Sequence, residues 1–327
     1  MFRRLLLAAA CGFALSTPGL AQTAAGADCP RGALDARFCD RDGDLVADTP
    51  TDPRQQVDPP VLVFAYSPLE DPAMFRRVFD GFLQHLSRVT GKRTQFFAVQ
   101  TNAAQIEAMR AGRLHIAGFN TGGTPLAVNC AGFVPFAVMA SRSGEFGYEM
   151  EIIVRADSPI QRLEDLRGRN LAFTAQTSTS GFRVPSVLLR DRFNMLPDRD
   201  FRAAFSGSHQ NSIMGVANRD YDAAAIANEV MLRMIARNVV RADQFRTIFR
   251  SDTFPTTGYG MAHNLSPQLQ QRIREAFFTF NWEGTELQRE FASTTPPMEK
   301  FLPITYRENW AIVRQMDEAL GVQYRCQ

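Results

Sequence analysis

From residue 61 to residue 280, short apolar runs alternate with segments of helical spacing, and four of the runs end in polar turns. Alternation of this kind builds α/β layers, mostly parallel strands covered by the helices that connect them. The expected strands are 61–66, 95–99, 114–119, 149–155, 170–174, 222–226 and 258–263. Helical spacing predicts helices over 74–86, 103–111 (capped by Asn102), 184–193, 212–218 and 268–280 (opened by Ser266-Pro267), with a shorter one from Ser158-Pro159 to Gly168. In open α/β sheets, ligands bind beyond the C-terminal ends of strands. The four polar turns, at 120–124, 178–181, 206–211 and 228–229, all fall there.

The most telling of the four is Ser178-Thr179-Ser180-Gly181. An apolar strand, Asn170 to Thr174, runs into these hydroxyls, and a helix follows from Val184. The first N–H groups of a helix have no intrahelical partner, and its dipole favours negative charge there. Three small hydroxyls add donors, and Gly181 allows close approach to the backbone. The turn therefore reads both as a helix cap and as an anion cradle.

Composition narrows the partners. The chain has 327 residues, enough for two medium domains, and a formal net charge of +2. No basic run follows Arg3-Arg4, so nothing points to nucleic acid, and an anionic ligand has to be held by local donors. Residues 1–21 read as an export signal. Arg3-Arg4 is the basic region, Leu5 to Leu15 the apolar core, and Gly19-Leu20-Ala21 the cleavage site. Lipidation at Cys11 is disfavoured by Ala8-Ala9-Ala10 before it. Export removes Cys11 and leaves Cys29, Cys39, Cys130 and Cys326, which allow three disulfide pairings. Cys29 with Cys39 is the local choice, and a buried free thiol at Cys130 competes with its pairing to Cys326.

Residues 22–60 are irregular and rich in Asp and Pro. Within them Asp40, Asp42, Asp44 and Asp48 surround Gly43, a spacing that resembles a calcium loop without its closing Glu. A solvated acidic turn is the competing reading.

Ser178-Thr179-Ser180-Gly181-Phe182 with Val184-Pro185 resembles a segment of the periplasmic phosphate/phosphite/phosphonate-binding proteins of ABC importers, the PhnD-like family. Ile106 to Gly112, Gly147-Tyr148, Gly207-Ser208-His209, Val216-Ala217-Asn218 and Asp222 to Ala225 match it in order, over roughly residues 60–290. The resemblance implies a type II periplasmic binding protein: two α/β lobes joined by a hinge of two crossings. Lobe one would be 61–146 plus 258–327, and lobe two 147–257, with Gly144 and Gly147 as hinge candidates. It further implies a monomer that carries a small oxyanion to a permease in the inner membrane. Ser178, Thr179 and Ser180 would hold the phosphoryl oxygens, joined by Tyr148, His209 and Glu229.

Many members place a tyrosine where this chain has Phe119, so Asn120, Thr121 and Thr124 are the candidate replacements. Tyr66 ends the first strand and is a further candidate. Neutral donors together with a carboxylate favour a protonated phosphoryl group, or a zwitterion, over a bare dianion. Ser178, His209 and Glu229 are nominally a hydrolase triad, but no G-x-S-x-G elbow surrounds Ser178, and binding is the expected role. A periplasmic sensor or accessory protein of the same fold, for a carboxylate or sulfur oxyanion, is the alternative function. His85, His115 and His263 lack metal-ligand spacing and are read as structural.

Overall fold

A computed structural model describes residues 29–326; the expected export signal lies outside them. Two sheets carry the fold. The first is built from β1 (Val61–Tyr66), β2 (Arg93–Phe96), β3 (Ile116–Phe119), β4 (Phe133–Ala140), β10 (Gly258–Ala262) and β11 (Lys300–Pro303), in the order β11-β4-β10-β3-β1-β2. β1, β2 and β3 are parallel, and β10 runs antiparallel between β3 and β4. The second holds β5 (Tyr148–Arg155), β6 (Asn170–Phe173), β7 (Arg202–Phe205), β8 (Ala223–Ala227) and β9 (Phe245–Phe254), in the order β7-β6-β8-β5-β9. β6 is parallel to β7 and β8, while β5 is antiparallel to β8 and β9. The sheets are thus mixed where alternation alone predicted mostly parallel ones.

Each sheet anchors one lobe, and the chain passes between them twice, at 141–147 and at 255–257. Gly144 and Gly147 in the first crossing have φ of 96° and 122°. At Gly147 a Cβ would also stand 2.3 Å from Thr253 Cγ2, so no larger residue fits.

The helices cover the sheets. The first lobe carries α1 (Pro72–Val78), α2 (Asp80–Thr90), α3 (Asn102–Arg110) and α4 (Gly123–Ala131). The second carries α5 (Val184–Phe193), α6 (His209–Ala217) and α7 (Asn228–Ala236). After β10 come α8 (Pro267–Phe278), α9 (Glu286–Phe291), α10 (Tyr306–Asn309) and α11 (Ala311–Ala319). No helix among the described residues is long and apolar enough to cross a membrane. The first lobe's core is an aromatic cluster that includes Phe64, Phe79, Phe82, Tyr259, Phe277 and Phe301. The second lobe packs Met150, Ile152, Leu171, Phe173 and Leu189.

Several local expectations are corrected. The helix expected over 74–86 breaks at Phe79 into α1 and α2. The segment 158–168 forms only a 3₁₀ turn at Leu163–Leu166. Asn102 does not cap α3: Thr101 does, its side chain accepting the Ala104 N–H, and Asn102 is free to donate to Thr177 Oγ1 at 3.0 Å. α6 begins at His209, because Ser208 rather than a later residue caps it. Ser266 makes no side-chain cap bond, and Pro267 alone starts α8. Both disulfides form, Cys29–Cys39 and Cys130–Cys326. The second ties the C-terminal tail to α4. The segment before β1 lies on the first lobe, with Phe38 edge-on to His263 and Val57 bridged to Leu265.

Candidate functional site

The polar turns of both lobes meet in the cleft. In the second lobe, β6 delivers the chain to Ser178, whose Oγ accepts the Gly181 N–H at 2.9 Å as a helix cap. The next residues, Thr179–Arg183, form a π-helical turn before α5. Widened turns of this kind recur at functional sites. Ser178, Thr179 and Ser180 are all buried, and Thr179 Oγ1 has no hydrogen-bond partner among the described residues.

His209, in the first turn of α6, lies beside Ser178, with Nε2 3.4 Å from its Oγ. Its other nitrogen, Nδ1, accepts the Ala227 N–H at 3.0 Å. That bond assigns the tautomer: Nδ1 is bare and Nε2 carries the proton. Burial, reinforced by the nearby Arg233 charge, lowers the pKa of His209 to about 3. The ring is therefore a fixed neutral donor. Glu229, in the first turn of α7, accepts from Thr256 Oγ1 at 3.2 Å. Burial pushes its carboxyl up, against the opposing pull of Arg233 and Thr256. Tyr148 opens β5, directly after the Gly147 crossing. Burial raises its phenol to about 12.

The first lobe contributes less. Asn120 Oδ1 accepts the Gly123 N–H at 2.9 Å. Thr121 Oγ1 donates to the Pro255 carbonyl at 2.7 Å, and Thr124 Oγ1 donates back to Phe119 and Asn120 at 3.1 and 3.0 Å. The hydroxyl proton of Thr124 is thus spent inside the lobe, and that of Thr121 at the second crossing.

Asn120, Thr121, Tyr148, Ser178, Thr179, Ser180, His209 and Glu229 line one cavity between the lobes, with Leu69, Ala227 and Thr257, which the sequence reading missed. The cavity is small, about 10 Å³ for the centre of a water-sized sphere, about the room of one water molecule. None of its lining residues is Lys or Arg. Tyr66 is not among them. Its ring lies in the aromatic core against Phe75 and Phe79, because the last residue of β1 points inward. Phe119 also faces the core, edge-on to Phe133, and does not line the cavity. Asp40, Asp42 and Asp44 cluster elsewhere, on the segment before β1, while Asp48 departs from the expected set by pairing with Arg41 at 3.0 Å.

The family model for the periplasmic substrate-binding protein of phosphonate ABC transporters matches residues 64–308. The chain belongs to this family. It is 28% identical to the phosphate-import protein PhnD of Mycolicibacterium smegmatis, over 67% of this chain and 71% of that one. It is 27% identical to the phosphonates-binding periplasmic protein of Escherichia coli, over 61% of this chain and 60% of the relative. Among solved structures, a binding protein component of an ABC phosphonate transporter from Pseudomonas aeruginosa superposes with a TM-score of 0.71 at 26% identity, over 80% of this chain and 86% of that one. PhnD1 of Prochlorococcus marinus, solved with methylphosphonate, shares the fold with a TM-score of 0.69 at 15% identity, over 81% and 100% of the two chains.

Two buried ion-pair clusters join the lobes of this binding protein. Arg233 of α7 donates to Glu70 of the first lobe at 2.8 and 3.0 Å, with Glu290 at 3.6 Å and Glu229 at 4.0 Å. Arg237 bonds the same Glu70 and reaches Glu290 at 2.9 Å. Burial alone would lower the pKa of Arg233, but Glu70 and Glu229 outweigh it and hold the guanidinium charged. In the second cluster Arg183 meets Asp317 of α11 at 2.7 Å, and Tyr324 donates to the same carboxylate at 2.6 Å. No spacing rule links residues this far apart in the chain, and only the fold brings them together.

The nominal triad is not a relay. A base for Ser178 needs an unprotonated Nε2, but the Ala227 N–H fixes the proton there. No hydrogen bond joins His209 to Glu229 among the described residues, so the acid cannot orient the ring.

Proposed function

We propose that this binding protein captures a small phosphonate-type oxyanion bearing one proton and delivers it to an ABC permease in the inner membrane. The observation that carries this reading is the chemistry of the cavity lining. Neutral donors converge there (Ser178, Thr179, Ser180, Tyr148, His209 and the carboxamide of Asn120), with one buried acid and no lysine or arginine. Neutral donors suit a tetrahedral oxyanion, and charge-assisted bonds make each of them strong. Glu229 would repel a dianion. It accepts a hydrogen bond from a P–OH group, or donates one when it holds the proton itself. Either way the complex keeps one proton between Glu229 and the ligand. The His209 tautomer, which leaves Ser178 without a base there, supports binding over hydrolysis.

The same reading assigns residues 61–146 plus 258–327 to lobe one and 147–257 to lobe two. They hinge at Gly144–Gly147 and at 255–257 in a monomer exported to the periplasm by residues 1–21. Calorimetry with phosphate, phosphite, methylphosphonate and 2-aminoethylphosphonate, on both sides of neutral pH, tests it. The complex holds one proton more than its deprotonated free partners, so affinity falls as pH rises, by about tenfold per pH unit. His209 adds no titration in this range, because its pKa of about 3 keeps it neutral. Glu229→Gln is expected to flatten the slope. Binding no tighter than millimolar for all four ligands sinks the phosphoryl assignment, and an unchanged slope in Glu229→Gln sinks the shared proton.

A further inference from the structure

Away from the cleft, one cluster of acids has no use in ligand capture. Asp40, Asp42 and Asp44 bring carboxylate oxygens within 4.8 Å of one another. Each accepts a backbone N–H of its own loop: Asp40 from Leu45 at 3.1 Å, Asp42 from Asp44 at 3.3 Å and Asp44 from Val46 at 3.0 Å. These bonds shape the loop but leave three charges together. No Lys or Arg among the described residues pairs with any of the three. Arg41 is taken by Asp48, and Arg307 by the Gly43 carbonyl at 2.9 Å. Asp40 is only 8% exposed, and its Oδ1 is buried with no partner among the described residues. A buried, unpaired carboxylate oxygen beside two further carboxylates is costly unless a cation shares the site.

We propose that Asp40, Asp42 and Asp44 bind one divalent cation of the calcium class. Calcium takes several hard oxygen ligands, and a calcium loop supplies them from its first, third and fifth positions before a sharp turn at the sixth. Here the sixth position is Leu45, held at φ 71°. A bulky residue adopts that conformation only where its surroundings impose it. The loop is closed on one side by Cys29–Cys39. It reaches the first lobe through Arg307 and through His263, whose Nδ1 lies 2.8 Å from the Asp48 carbonyl. The ion therefore staples the segment before β1 to the first lobe, and none of its ligands lines the cleft. Without a bidentate Glu at the end of the loop, affinity falls in the weak range of extracellular sites, half-saturating on the order of 0.1–1 mM.

Calcium titration of the chelator-treated protein, by calorimetry and thermal melting, tests this. One ion per chain is expected, with a higher Tm in calcium than in chelator. Asp42 is exposed, so Asp42→Asn keeps the fold and the bond to the Asp44 N–H. It is expected to weaken calcium binding at least tenfold and to leave phosphonate affinity unchanged. No calcium uptake at several millimolar, equal uptake by Asp42→Asn, or the same Tm rise with potassium chloride at matched ionic strength overturns the proposal.

Discussion

The two turns that face each other across the cleft, 120–124 and 178–181, read alike in sequence: short, polar and placed between a strand and a helix. The fold treats them differently. In the first lobe Asn120 Oδ1 caps α4, Thr121 bonds the Pro255 carbonyl and Thr124 bonds its own turn. In the second, Ser178 caps with an oxygen lone pair and keeps its hydroxyl proton, while Thr179 Oγ1 has no partner among the described residues. A polar turn serves a ligand only with the hydrogen-bonding capacity its own backbone leaves over. One face of the cleft is structural polarity apart from the Asn120 carboxamide N–H, and the other is available chemistry.

The sharpest way to break that contrast is Thr179→Val. The change is nearly isosteric and removes a buried hydroxyl that the fold does not use. A hydrogen bond to a charged ligand is worth about 1.5–3 kcal/mol, so phosphonate affinity is expected to fall roughly 10–150-fold with Tm held or slightly raised. Calorimetry and a thermal melt on the same variant decide it. Unchanged affinity would return the second turn to the same structural status as the first.

The turns also touch, and Gly122 is where they do so. A Cβ there would stand 2.3 Å from the Thr177 carbonyl and 2.9 Å from Thr179 Oγ1, both in the other lobe. The obstructing carbonyl is backbone and cannot swing aside. Gly122→Ala is therefore expected to penalise the closed form by about 1–3 kcal/mol, an overpacking cost, while the first lobe alone tolerates it. Affinity should drop correspondingly without loss of either lobe's helicity by circular dichroism. Wild-type affinity would mean that the turns separate when ligand is held.

These differences also mark how far the sequence could be read. The strand, cap and helix around Ser178 are local, so the second turn was legible from residue types alone. His209 and Glu229 followed from the family resemblance, but the Ala227 N–H that sets the His209 tautomer comes from the end of β8. Thr257 and Leu69 have no motif, and Arg183 and Asp317 stand 134 residues apart. β4 escaped notice because Pro135 interrupts its apolar run; the sheet absorbs it beside a register shift between Tyr259 and Gly260. β9 was hidden by its polar, half-exposed edge position. Tyr66 illustrates the opposite error: a strand-end aromatic is placed by alternation, and alternation turned it into the core.

The smallest effect tests the other half of the contrast. Thr121 lines the cavity, yet its proton is committed to Pro255 at the second crossing between lobes. Thr121→Val leaves that carbonyl short of a donor, so stability should fall by about 1 kcal/mol. Affinity should change by about twofold or less, because the ligand loses no donor. Denaturant unfolding and calorimetry separate the two effects. If affinity falls as far as in Thr179→Val, the Thr121 hydroxyl turns from Pro255 to the ligand on binding. The first lobe's face would then be as chemically available as the second's, held in reserve by a single hydrogen bond at the hinge.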